Sequence, residues 1–393
     1  MAGLNPKILL WARETAGLSL DEAADSLHLG TRKQSGHEVL AAYESGDRAP
    51  SRPLLLKFAK LYKRPLLTFY LAAPPAKANR GEDFRTLPEE RKQENAGVVD
   101  ALVRDVHVRQ QLVRSVLEDA DEAQPLPFIG TLNIDTDVVE ASRKLQAIIG
   151  FQIQTFRKKK SPNDAFSYAR QLVEKTGVFV LLIGNLGSHH TNINPQVFRG
   201  FALSDRIAPF IVVNDQDAVT AWAFTLMHEY VHILLGLTGI SGGGYEKKIE
   251  RFCNDVASQL LLPSSELLEW KPDLRSRESL VKEVSDFANA RRISRSLVIY
   301  RLYLSGRVDE ATWKSASQTF ADQWLAEKAQ QKEKSRASTS SGPDYYVVRR
   351  HRVGAALVSL VRRTLAEGVI TPTKAGRVLG VKPMNVEPLL APA

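Results

Sequence analysis

Ala221-Trp222-Ala223-Phe224-Thr225-Leu226-Met227-His228-Glu229-Tyr230-Val231-His232-Ile233-Leu234-Leu235-Gly236 is an apolar helical pattern interrupted by three ionisable groups, His228, Glu229 and His232. Side chains four residues apart share one face of a helix. Both imidazoles are therefore presented to one point, with a carboxylate beside them. The spacing is the H-E-x-x-H pattern, in which two histidines hold zinc and the glutamate handles protons.

A catalytic zinc site has three protein ligands and one open position. The third ligand is expected on a neighbouring element, and an amphipathic helix over 247–262, stopped by Pro263, offers Glu250. Ile249, Phe252, Val256 and Leu260 supply its packing face, so Glu250 can turn to the metal. Asn254, one turn on, can support a ligand from behind, and Asp255 is the alternative carboxylate. Cys253, at core spacing, reads as small apolar filler.

Upstream, Val178-Phe179-Val180-Leu181-Leu182-Ile183 lies between Gly177 and Gly184 and reads as a buried strand. Residues 198–203 and 209–214 supply two more strands. The strand at 209–213, just before the metal helix, is expected to pair with an extended substrate. Helices are expected over 92–123, 135–150 and 162–176. The fold class is α+β, mainly helical, with a small sheet in a zincin-like domain.

The N-terminal 1–75 reads as a bundle of short helices. Ser19-Leu20-Asp21-Glu22 is a capping box ahead of Ala23, Ala24 and Leu27, and Leu54, Leu55, Phe58, Ala59 and Leu61 keep helical spacing. Residues 76–130 then form a linker and helical connector, and 131–325 the domain that carries the motif with a helical extension. Residues 326–349, poor in apolar groups, are expected to be a flexible linker. A basic helical tail over 350–393 closes the chain.

Composition narrows the class. The 393 residues are 44% hydrophobic and 25% charged, as in a soluble globular chain. No apolar run is long enough to span a membrane. The single cysteine excludes an internal disulfide, and no secretory signal is visible, so a cytoplasmic location is expected. Of the net charge of +9, +7 falls in residues 326–393, which hold 12 Lys/Arg against 5 Asp/Glu. Such a tail implies nucleic acid, an acidic partner or a solvated helix.

The chemistry expected is metal-assisted amide hydrolysis. Zinc polarises water and the scissile carbonyl, and Glu229 moves the proton to the leaving nitrogen. Tyr245, His189 and His190 are the candidates for an oxyanion donor, although His189-His190 also reads as a surface loop.

The chain resembles the ImmA/IrrE metallopeptidases fused to an Xre-type helix-turn-helix. The matching core runs from Arg199-Gly200-Phe201-Ala202-Leu203-Ser204-Asp205 through Pro209-Phe210-Ile211-Val212-Val213-Asn214 to Phe224-Thr225-Leu226-Met227-His228-Glu229-Tyr230-Val231-His232. It continues in Glu250-Arg251-Phe252-Cys253-Asn254-Asp255-Val256-Ala257 and Leu260-Leu261-Leu262-Pro263. The resemblance implies zinc on His228, His232 and Glu250, Glu229 as general base, and a protein substrate that is a repressor or related regulator.

Leu18-Ser19-Leu20-Asp21-Glu22-Ala23-Ala24 and Tyr43-Glu44-Ser45-Gly46-Asp47-Arg48-Ala49-Pro50 are similar to the Xre-type unit, whose second motif helix enters the DNA major groove. The stretch between Gly30 and Glu44 is longer than in that pattern. Arg32, Lys33, Gln34 and Arg48 are the candidate DNA contacts. Residues 1–75 hold 10 Lys/Arg against 7 Asp/Glu, a weak footprint for DNA, so docking of a protein by the same fold is the other expectation. Two further readings stand beside the peptidase. One is a DNA-binding regulator whose peptidase-like domain only senses or docks. The other is a toxin–antitoxin or prophage-type component that binds its partner uncut.

Overall fold

The computed structural model describes residues 4–31, 34–74, 89–186, 191–237, 244–273, 276–337 and 344–391. The chain divides into two compact units, one of Met1–Val106 with Asn185–Phe198, the other of His107–Gly184 with Arg199–Ala393.

In the first unit, α1 (Pro6–Thr15), α2 (Leu20–Leu27), α3 (Gly36–Ser45) and α4 (Arg52–Leu61) surround a core of Ile8, Leu9, Leu40, Phe58 and Tyr62. Each helix begins on a side-chain cap, from Asn5, Ser19, Ser35 and Ser51 in turn. Such a cap satisfies amide hydrogens left over in the first turn. Ser19 with Glu22, and Ser35 with Glu38, form full capping boxes. The Arg13 guanidinium grips the Glu44 carboxylate through two bonds of 2.7 and 2.9 Å and joins α1 to α3. α5 (Glu89–Asp119) follows.

The second unit is built on a three-stranded sheet of order β1-β3-β2: β1 (Phe179–Leu182), β2 (Gly200–Leu203) and β3 (Phe210–Val213). β1 runs parallel to β3, and β2 antiparallel to it. Every strand residue is buried. The sheet accordingly has two apolar faces, which explains why its strands read as unbroken apolar runs rather than alternating ones. Val180, Leu182, Ala202, Ile211 and Val213 belong to the main core. Phe179, Leu181, Phe201, Leu203, Phe210 and Val212 alternate with them and point to the other face.

The main core is completed by α6 (Val138–Ile149), α7 (Ile153–Arg157), α8 (Pro162–Lys175), α9 (Val219–Leu234), α10 (Gly244–Leu261), α11 (Ser264–Glu269), α12 (Arg277–Arg291), α13 (Arg295–Leu304) and α14 (Glu310–Ala337). α15 (Tyr345–Val353) and α16 (Ala355–Ala366) pack against β1, while α17 (Pro372–Leu379) and α18 (Val386–Leu390) pack with them. Gln110 of α5 donates to the carbonyls of Leu203 and Ala208 at 2.9 and 3.0 Å.

Two expectations change here. The segment 326–349 is not a linker over most of its length, because α14 continues to Ala337 and α15 starts at Tyr345. Ala326, Glu327, Lys328, Ala329 and Gln330 are polar overall but strong helix formers, and propensity extends the helix past its apolar part. Lys328 also donates to the Gln216 carbonyl at 2.6 Å. The basic stretch 350–393, in turn, belongs to the second compact unit, where Arg170 holds it. Among the described residues no helix is long and apolar enough to cross a membrane.

Candidate metal centre

The candidate centre is set by the pitch of α9, which presents three faces to three neighbours. On one, Trp222 meets Phe166 of α8 edge-to-face at 5.3 Å, and two turns on the Tyr230 hydroxyl donates to Thr176 at 3.1 Å. Tyr230 also stacks on Phe128 at 5.7 Å, so the middle residue of the motif is a fully buried anchor. The second face carries His228 and His232 towards α10. The third carries Thr225 and Glu229 towards β2. At its C-terminal end, Gly236 adopts a left-handed φ of +69°, and the amides of Gly130 and Leu132 donate to the Ile233 and Leu234 carbonyls. That closure satisfies carbonyls a helix end would otherwise leave open.

His228 and His232 approach each other with Nε2 atoms 3.1 Å apart. Glu250 of α10 meets both: its Oε2 is 3.3 Å from His228 Nε2 and its Oε1 is 3.3 Å from His232 Nε2. These three form the one group of potential metal ligands found among the described residues. Zinc–ligand bonds of ~2.0–2.1 Å at tetrahedral angles put ligand atoms roughly 3.3 Å apart. The observed separations fit that edge length, and two imidazoles and a carboxylate are a donor set zinc accepts. Burial pushes the Glu250 carboxyl upward, but the opposing His228 and His232 rings outweigh it and hold it well below the usual carboxylate range. His228 Nδ1 is buried with no hydrogen-bond partner in the described structure.

Ile249, Phe252, Cys253, Val256 and Ala257 are buried in the main core and fix the rotation of α10, which turns Glu250 to the histidines. Cys253 is core, as its spacing implies. Asp255, the alternative ligand, is committed elsewhere: it accepts the Tyr300 hydroxyl at 2.8 Å. Asn254 is half-buried one turn beyond Glu250, and its side chain makes no hydrogen bond to His228, His232 or Glu250. His189, His190 and the Tyr245 side chain, the candidates for an oxyanion donor, lie outside the described residues.

Glu229 is buried against β2. A Cβ placed on Gly200 would lie 2.6 Å from Thr225 Cγ2, 2.9 Å from Glu229 Oε1 and 2.9 Å from the Val212 carbonyl oxygen. The residue reading of the motif did not single out Gly200. A glycine inside an apolar strand was the available signal, since it marks a close approach of another group.

β3 has a strand on each side, so the expectation that 209–213 pairs with a substrate is corrected: no edge of it is available. The outer strand on the Glu229 side is β2. The Asn214 amide donates to the Arg199 carbonyl at 2.8 Å, which makes Arg199 a hydrogen-bonded position of the antiparallel ladder. By alternation Phe201 and Leu203 also face β3, whereas Gly200 and Ala202 direct their backbone amide and carbonyl groups to the opposite edge.

The candidate DNA contacts belong to the first unit. Arg32 and Lys33 fall outside the described residues. Gln34 sits in the turn before α3, where its amide bonds the Thr31 hydroxyl at 3.1 Å. Arg48 lies over the Tyr43 ring at 5.3 Å. α2 and α3 themselves hold no Lys or Arg, and Asp21, Glu22, Asp25 and Glu38 are exposed on them. His37, near the start of α3, pairs with Asp21 at 2.9 Å.

No curated protein and no solved structure matches this chain. Residues 185–303, less than a third of the chain but spanning β2, β3, α9, α10 and α13 up to Tyr303, match the model of the Peptidase_M78 family, described as the IrrE N-terminal-like domain. The stretch that holds His228, Glu229, His232 and Glu250 is thus similar to a metallopeptidase domain.

Proposed function

We propose that this protein is a zinc-dependent endopeptidase that cleaves a regulatory, repressor-like protein, and that its N-terminal unit of helix-turn-helix type targets it. The observation that carries the proposal is the convergence of His228, His232 and Glu250 at 3.1 and 3.3 Å, with the buried Glu229 carboxylate one residue from the first ligand. His228, His232 and Glu250 would hold the ion. Bound zinc supplies Lewis-acid polarisation of a carbonyl and lowers the pKa of water. Glu229 takes the proton of the attacking water and delivers it to the leaving nitrogen. The outward amide and carbonyl groups of Gly200 and Ala202 hold an extended substrate segment as an added strand.

The test uses the purified zinc-loaded protein and candidate repressor substrates. Glu229→Gln keeps the fold and the metal and loses cleavage by ~10²-fold or more. Equal cleavage by the Gln variant sinks the mechanism.

For the N-terminal unit, the reading we favour is docking of a protein. The absence of Lys and Arg from α2 and α3 favours it, because DNA affinity rests largely on cationic phosphate contacts. A full-length chain that binds duplex DNA with sequence preference, lost on changing Arg32, Lys33, Gln34 and Arg48, restores the DNA reading. A partner that co-purifies uncut with the active-site-intact chain restores the docking-only reading of the whole protein.

A further inference from the structure

The contact between Gly200 and Glu229 has a chemical consequence. Gly200 carries no left-handed φ and pairs regularly with Val213 in the β2–β3 ladder. Backbone freedom is therefore not what this position draws from glycine. What it draws is the absence of a side chain. β2 passes so close to α9 that the first carbon of any side chain would meet Thr225 Cγ2 at 2.6 Å and Glu229 Oε1 at 2.9 Å. The third contact, the Val212 carbonyl oxygen at 2.9 Å, is backbone of the central strand and has little room to yield. Ala202, on the same face of β2, keeps the approach narrow along the strand.

Glu229 has two ways to accommodate an added methyl group. It can rotate away from β2, or α9 can shift bodily. A shift of α9 is opposed by the Trp222–Phe166 contact and by the Tyr230–Thr176 bond, which hold the helix at both ends of this stretch. The same helix holds His228 and His232 against Glu250, so the side chain of Glu229 is the element with freedom to move. We infer that Gly200 is a positioning residue for Glu229: the bare strand seats the carboxylate beside the ligand pair, and any side chain at this position turns it away. The inference rests on the reading of the site as a zinc peptidase centre, and it adds to that reading the element that sets where the base stands.

The experiment uses the full-length zinc-loaded protein and acetohydroxamate as the probe. Acetohydroxamate chelates zinc through two oxygens and passes its proton to a carboxylate beside the metal, so its affinity senses where Glu229 stands. Gly200→Ala keeps one zinc per chain and a cooperative melt, while acetohydroxamate affinity falls by about 10- to 100-fold, the scale of a misplaced catalytic group. With a cleavable substrate the loss appears in kcat, with KM little changed. Thr225→Ser removes the shortest contact, so Gly200→Ala with Thr225→Ser also remains weak for the probe, because the contact with Glu229 persists. This pair takes the place of Gly200→Ala should the single variant not fold. Wild-type affinity for the probe in either variant overturns the inference, and full recovery in the pair assigns Gly200 to strand–helix packing alone. If the wild-type protein takes up zinc but does not bind acetohydroxamate, or takes up no zinc, the reading of the site itself falls, which separates the two failures.

Discussion

The Arg170–Glu174 pair and the His228–His232–Glu250 group are both polar clusters sunk in the second unit, and they are finished in opposite ways. The Arg170 guanidinium is turned entirely to groups of its own chain and makes four hydrogen bonds there. Nε meets Glu174, Nη1 donates to the His351 carbonyl, and Nη2 donates to the carbonyls of Val180 and Arg352. Glu174 accepts the Ala356 amide at 3.4 Å with its other oxygen. Burial lowers the affinity of Arg170 for its proton and raises that of Glu174, and each partner opposes the shift in the other. At the candidate centre three ligand atoms face one another instead, and His228 Nδ1 lies buried without a partner. A polar cluster whose groups turn to partners within the chain fastens the fold. One that points its lone pairs at a common place is prepared for something from outside.

Substitutions can break or sharpen this contrast. The largest effect is expected at the centre: Glu250→Ala removes one of three ligands, and zinc content falls from about one per chain towards zero by elemental analysis, with little change in the melt of the metal-free protein. Retention of a full equivalent of zinc would falsify the assignment of Glu250. At the fastening pair the expectation reverses. Arg170→Met leaves Glu174 buried without its charge partner and costs about 3–5 kcal/mol in chemical denaturation. Arg170→Met with Glu174→Leu recovers much of that loss, since apolar replacement of a whole buried pair is often tolerated. A neutral Arg170→Met would show that the pair fastens nothing.

A smaller effect is expected at Gly354, the residue that links α15 to α16. Its φ is +94°, and a Cβ there would meet Glu174 Oε1, Arg170 Nη2 and the Val180 carbonyl. Gly354→Ala costs roughly 1–3 kcal/mol from backbone strain and crowding of the pair, read as a lower denaturation midpoint. The smallest is at Asn254, whose side chain bonds none of the three ligands: Ala there changes zinc affinity by less than ~10-fold in a competitive chelator titration, below the range for a group bonded behind a ligand. A loss as large as that of Glu250→Ala would move Asn254 into the ligand set.

Much of the centre was legible beforehand because it lies on regular elements with strong local signals. The 3.6-residue period places His228 and His232 on one face, and the apolar stripe of Phe252, Val256 and Leu260 leaves Glu250 on the side that meets them. The three strands stand where their apolar runs implied, at 179–182, 200–203 and 210–213. The stretch 326–349 is ambiguous in sequence because low apolar content signals both a flexible chain and an exposed helix, and propensity decides between them. Strand order was not legible at all. Apolar runs at 200–203 and 210–213 look alike in sequence, and only pairing tells which is central and which has an edge to offer.

The sequence by itself therefore determined the chemistry available: two imidazoles and a carboxylate at helical spacing, a second carboxylate on the next amphipathic helix, and the absence of an internal disulfide. Local period and residue type are enough for that, since both act over a few residues. Tertiary structure alone decided how the chemistry is framed. It set β2 as the outer strand beside Glu229, required Gly200 to be bare there, and fastened the C-terminal helices to β1 through Arg170 and Glu174. Those outcomes depend on which distant segments share space, and contacts such as those between Arg170 and Arg352 or Glu174 and Ala356, 182 positions apart, leave no periodic trace in the chain.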